Sequence, residues 1–201
     1  MGGRLSLFTL LNANSGSLHG WSTIDATTGS LDGTLTWHKI KPVVKTSTRS
    51  YNDGIPLHSL THQGGKYLPP TSGLILGITP PSAATTANVW MTLLHGALEA
   101  GFTQPGSLSA KHVLTAVPPI QNALKPTFKL STGIVSGTFT ILNADPKKNR
   151  PGTFSGVVVP RLDRACGHQL LPLLPVSAGE TVSKSDIRSG LMMLTTAVPS
   201  P

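Results

Sequence analysis

The histidines of His58-Ser-Leu-Thr-His62 have the spacing in this chain that comes nearest to a metal-ligand pair. On a helix, residues four apart share one face, and two imidazoles there could hold a zinc ion that activates water. On a strand the same two residues also share a face but stand about 13 Å apart, too far to ligate one ion. Pro56 before the pair and Gly64-Gly65 after it argue against a helix. A second candidate is Asp25-Ala-Thr-Thr-Gly-Ser-Leu-Asp32, where the Asp25 and Asp32 carboxylates, Thr27, Thr28 and backbone carbonyls could offer oxygens to calcium. The same residues also suit a hairpin turn closed by an aspartate side chain. Cys166 lies between Arg164 and His168, cations that could favour a thiolate; otherwise it is a small residue in or beside a strand.

Other chemistry lacks a signature. The chain has no Gly-x-Ser-x-Gly elbow, P-loop, Gly-x-Gly-x-x-Gly or His-Glu-x-x-His, and Glu99 and Glu180 are its two glutamates. A triad assembled from distant segments leaves no such trace. A hydrolase would need several of His19, His38, His58, His62, His95, His112 and His168 to converge in a pocket with an aspartate. With acid–base pairs so scarce, it would draw on a metal to make its nucleophile.

The elements that must position these residues are announced by a recurring pattern, Gly-x-apolar-x-Gly-x-apolar. It occurs at Gly29, Leu31, Gly33, Leu35 and Trp37, at Gly133, Val135, Gly137, Phe139 and Ile141, and at Gly152, Phe154, Gly156 and Val158. A looser copy is Gly16, Leu18 and Gly20, continuing to Ser22 and Ile24. The period is two, that of a strand with one buried face. Glycines on that face make room for a bulky neighbour or let the strand coil, as a small barrel requires. The pattern predicts that Val135, Phe139, Phe154 and Val158 are buried. It also places Trp21, Trp37 and Trp90 among apolar neighbours, in the core rather than on a sugar-binding surface.

The fold class expected is therefore all-β, a small curled sheet or barrel, with the two similar halves pairing as half-barrels. The first half, residues 1–80, offers strands near 4–11, 16–25, 30–41 and 57–62, and an apolar strand over Gly73–Ile78. Residues 81–87 read as a proline-containing linker. The second half, 88–201, offers strands near 89–94, 111–117, 126–131, 133–142, 152–160, 167–174 and 187–195; His95–Gly101 alone resembles a helical turn and is too short to form one. The doublets at 16–37 and 133–158 read as an internal repeat.

Composition agrees with short strands and turns: of 201 residues, 21 are glycine and 17 proline, and only 12% are charged. Sixteen Lys+Arg against eight Asp+Glu leave a net charge of +8. The cations are scattered over Lys39, Lys41, Lys45, Arg161 and Arg164. The one dense group, Lys147, Lys148 and Arg150, reads as a solvated hairpin loop. With aromatics at 5%, stacking platforms are scarce and no specific nucleic-acid partner is expected. One cysteine excludes an internal disulfide. No apolar run approaches the roughly 18 residues of a spanning helix, and the N-terminal stretch reads as a strand rather than a signal peptide.

The runs Gly16–Trp21, Leu31–Trp37, Arg49-Ser-Tyr51, Gly65–Pro70, Gly73–Gly77, Leu130–Phe139 and Phe154–Val159 together resemble an all-β module. That module ends large exported or surface-attached bacterial proteins, often behind immunoglobulin-like repeats. The resemblance spans roughly Leu5–Leu194. It implies a non-catalytic extracellular or cell-surface module, structural or binding, that needs no cofactor. Its partners would be the parent polypeptide or cell-surface components, with carbohydrate as a further possibility. A chain that begins within a strand reads as a truncated frame or an excised piece. The alternative is a small hydrolase acting on an ester or lactone, with zinc or calcium as cofactor and His58 and His62 in the site.

Overall fold

The computed structural model describes residues 2–11, 14–41, 49–175 and 180–197. Lys45 and the start of the turn at Asn12 fall outside them. The chain divides into two compact units, Met1–Lys66 and Tyr67–Pro201.

The first unit is a meander of four antiparallel strands in chain order: β1 (Gly3–Leu11), β2 (Gly16–Asp25), β3 (Ser30–Lys39) and β4 (Ile55–Gly65). The pairing sets Gly20 opposite Leu35, Ser22 opposite Gly33, and Gly33 opposite His62. One face thus carries Leu7, Leu18, Leu31, Leu35, Trp37 and Leu60, all half-buried. Trp21 is out of phase with that face. It is 57% exposed, with the Arg4 guanidinium 5.6 Å from its ring centre. The expectation of a core tryptophan fails there, because its strand neighbours Gly20 and Ser22 point the other way. Trp37 and Trp90 are half-buried.

The second unit holds β5 (Val89–Leu94), β6 (Phe102–Leu108), β7 (Leu114–Ala116), β8 (Lys125–Lys129), β9 (Ile134–Ile141), β10 (Arg150–Val159), β11 (Arg164–Pro172) and β12 (Ile187–Thr195). Each strand pairs antiparallel with its sequence neighbour, except across the β7–β8 seam, and β12 returns to pair with β5. The two edge strands β7 and β8 lie beside each other, so the sheet is a nearly closed up-and-down barrel. All eight strands come from this one unit. Among the described residues the four strands of the first unit form their own sheet, where the sequence suggested two half-barrels sharing one.

Val135, Phe139, Phe154 and Val158 line the barrel core at 0–4% exposure, with Val89, Met91, Leu93, Leu171, Met192 and Leu194. The β9–β10 register sets Gly137 opposite Phe154 and Phe139 opposite Gly152. Each ring fills the place where the facing glycine's side chain would stand. Apolar packing of this kind fills the space between facing strands.

Two segments depart from expectation. Gly73–Ile78 is not a strand: Leu74, Ile75 and Ile78 are buried in the barrel core, but Ile75–Gly77 forms a single 3-10 turn. Gly73, Leu76 and Gly77 all have positive φ (73°, 57° and 63°), which no strand accommodates. Conversely, Phe102–Leu108 is a strand despite Pro105-Gly106. Its ladder with β7 covers only Gly106–Leu108, so the proline sits just outside it. His95–Gly101, too short for a helix, forms a turn with positive φ at His95 and Gly96.

Candidate functional site

His58 and His62 both lie on β4, opposite Trp37 and Gly33 respectively. Their strand spacing keeps them apart, and only His62 meets another group capable of chemistry. Its Nε2 lies 2.7 Å from Ser22 Oγ, reached across the intervening strand β3. That reach is possible because residue 33 is glycine: a Cβ there would stand 2.7 Å from His62 Cε1. A serine–histidine contact is the beginning of a nucleophilic dyad. Ser22, however, is 1% exposed, and the buried His62 Nδ1 has no partner. The imidazole therefore lacks the carboxylate that would orient it, and the hydroxyl lacks access to a carbonyl carbon. The contact pairs two buried polar groups.

Asp25 is committed to its own turn. Its Oδ1 accepts from the Thr27 amide at 2.8 Å and the Thr28 amide at 3.4 Å, and its Oδ2 from the Thr28 hydroxyl at 2.9 Å. These bonds, the Thr27 amide first and the Thr28 hydroxyl next, hold the carboxyl below its ordinary value. Asp32 lies on β3 opposite Gln63, whose amide nitrogen is 3.5 Å from Oδ1. Of the two readings of this loop, the geometry is that of the aspartate-closed turn. Among the described residues, no three His, Cys, Asp or Glu side chains gather as a metal site. Cys166, on β11, is half-buried; burial pushes its thiol pKa up, and the Arg164 charge only partly opposes that.

A different constellation stands at one end of the barrel. The connection after β5 is pinned there by two side chains rooted in the barrel wall. Gln169 Nε2 donates to the His95 carbonyl at 2.9 Å, and Arg150 Nη1 donates to the Ala97 carbonyl at 2.8 Å and the Pro172 carbonyl at 3.2 Å. Gln169 is fully buried, and its Oε1 has no hydrogen-bond partner. Arg150 is 6% exposed and lines a cavity of about 420 Å³ with Glu99, Asn122, Asn143 and the apolar side chains of Leu98, Phe102, Ile141, Leu142 and Leu174. No carboxylate among the described residues stands within ion-pair distance of the guanidinium.

Arg150 corrects the reading of Lys147–Arg150 as one solvated group. Lys147 and Lys148 are exposed, whereas Arg150 opens β10 and points inward. The signal lay in its phase: Arg150, Gly152, Phe154, Gly156 and Val158 alternate on the same face. No protein-family model matches the chain, and no curated protein matches it significantly.

Proposed function

We propose that this chain is a non-catalytic module, structural or binding, of a larger exported bacterial protein, working outside the cell or on its surface. The observation that carries this reading is the reciprocal packing of Gly137 on Phe154 and Gly152 on Phe139. The residues that recur along the chain, and that resemble the modules of such proteins, are consumed in building the barrel wall and the four-stranded sheet. A comparable register in the first unit, Gly20 opposite Leu35, supports an origin by internal repetition.

The side chains with catalytic potential favour the same reading. His58 and His62 do not converge, and the Ser22–His62 contact is part-buried without an orienting acid among the described residues. The cavity at Arg150 makes binding the more specific half of the proposal. The test is a panel of esters and lactones assayed with purified protein, with and without a chelator. The expected outcome is no turnover above background in either condition. Turnover abolished by His62→Ala, with the melting temperature preserved, would overturn the proposal in favour of a hydrolase.

A further inference from the structure

We infer that the barrel mouth at Arg150 binds a small organic carboxylate with a compact apolar body. The inference rests on the reading of the chain as a binding module and names what it binds. A guanidinium carries five donors, and the bonds of Arg150 to the Ala97 and Pro172 carbonyls both come from Nη1. No atom of Arg150 is buried without a partner, so its other donors open onto the cavity it lines. A guanidinium so little exposed, in a cavity of mixed polar and apolar lining, favours an anion strongly. Among the described residues none supplies one: Glu99 lines the same cavity but lies beyond ion-pair distance.

The planar fork of an arginine matches a carboxylate with two parallel hydrogen bonds. Leu98, Phe102, Ile141 and Leu142 would cover the rest of such a ligand. A volume of about 420 Å³ lies toward the small end of ligand pockets and suits an acyl or aryl group of modest length, up to about the size of octanoate. Glu99 is exposed, so solvent and salt weaken its repulsion of the ligand. The carboxylate could belong to a free acid or to the C-terminus of a peptide.

The full chain is titrated by NMR with octanoate, phenylacetate and N-acetyl-leucine, each beside its amide, and with inorganic phosphate. We expect saturable shifts at the amides of Leu98–Phe102 and Ile141–Asn143 with a carboxylate and none with its amide. Response to octanoate or phenylacetate identifies a free acid, and response to N-acetyl-leucine alone identifies a peptide terminus. Leu142 is 66% exposed, so Leu142→Glu leaves the core intact while setting a negative charge at the mouth. It should weaken binding by about tenfold or more without lowering the melting temperature. Arg150→Lys keeps the charge and loses the fork, and it should weaken binding similarly. No response to any carboxylate, an equal response to the amides, response to phosphate alone, or unchanged binding in Leu142→Glu would each overturn the inference. None of these would bear on catalysis, which the ester and lactone panel decides separately.

Discussion

Gly137 faces Phe154 directly across the β9–β10 ladder, and the phenyl ring occupies the volume that any side chain at residue 137 would claim. The relation is repeated in reverse one step along the same hairpin, where Phe139 covers Gly152. An aromatic ring laid over a facing glycine pins the register of two strands as well as filling the core.

Gly137→Val and Gly152→Val should therefore each destabilise the barrel by about 1–3 kcal/mol through overpacking. Denaturant melts of the two variants beside the parent measure this. Unchanged midpoints would mean that the rings can move aside at no cost. Pairing Gly152→Val with Phe139→Ala should recover part of the loss, since the added and removed volumes meet at one place, whereas at Gly137 the Lys125 carbonyl oxygen also stands in the way.

In the first unit, Gly33→Ala should strain the β2–β3 pairing and displace the His62 ring, because the new methyl would meet the Trp21 carbonyl oxygen and stand 2.7 Å from His62 Cε1. The readout is the His62 ring proton resonance, together with loss of its contact to Ser22. Ser22→Ala leaves the ring in place but removes its partner, at a cost of about 1–3 kcal/mol for the stranded nitrogen. If Ser22→Ala is neutral in the melt, the contact contributes nothing to the fold.

The Asp25 carboxyl should titrate below 3.8, its ordinary value, because the Thr27 amide and the Thr28 hydroxyl both bond its charged form. A depressed folded pKa gives stability that is present above the unfolded pKa and lost as pH falls through the folded one. Carbon-detected NMR titration of Asp25 in the parent and in Thr28→Val checks it, with the variant's midpoint expected to rise. An unshifted midpoint in the parent would show that the turn does not hold its bonds in solution.

Cys166 should react slowly with a thiol reagent at neutral pH. Burial raises its pKa, and the Arg164 charge offsets only part of that rise. Its rate should fall below that of the same thiol in denatured protein. Labelling at the denatured rate would place Cys166 in an open, electropositive setting instead.

Arg150→Met removes the donor that ties the Ala97 and Pro172 carbonyls together. A loss of about 1.5–3 kcal/mol is expected for charged hydrogen bonds in a buried setting. Amide exchange over Leu98–Phe102 should quicken with it, since the connection after β5 loses one of its two anchors. Undiminished stability would show that the guanidinium is held for its ligand alone.

The sequence by itself determined that the chain is all-β and which residues of the doublets share a face. Alternation is a property of a strand's own backbone, so Val135, Phe139, Phe154 and Val158 announce their burial without reference to any partner. The same phase marks Arg150 as inward-pointing, although its lysine neighbours suggested a solvated loop. Only the tertiary structure decided which strands pair, and so that eight strands of one unit close nearly into a barrel while four form a separate sheet. It also decided that Leu74–Ile78 fills the core as a turn, and that Phe102–Leu108 is a strand in spite of its proline. The meetings that matter to chemistry belong to that level too. Ser22 reaches His62 across a glycine forty residues' separation away, and Arg150 reaches Ala97 over fifty-three. Such contacts depend on register and closure, which arise from packing between segments and leave no imprint on the local spacing of residues.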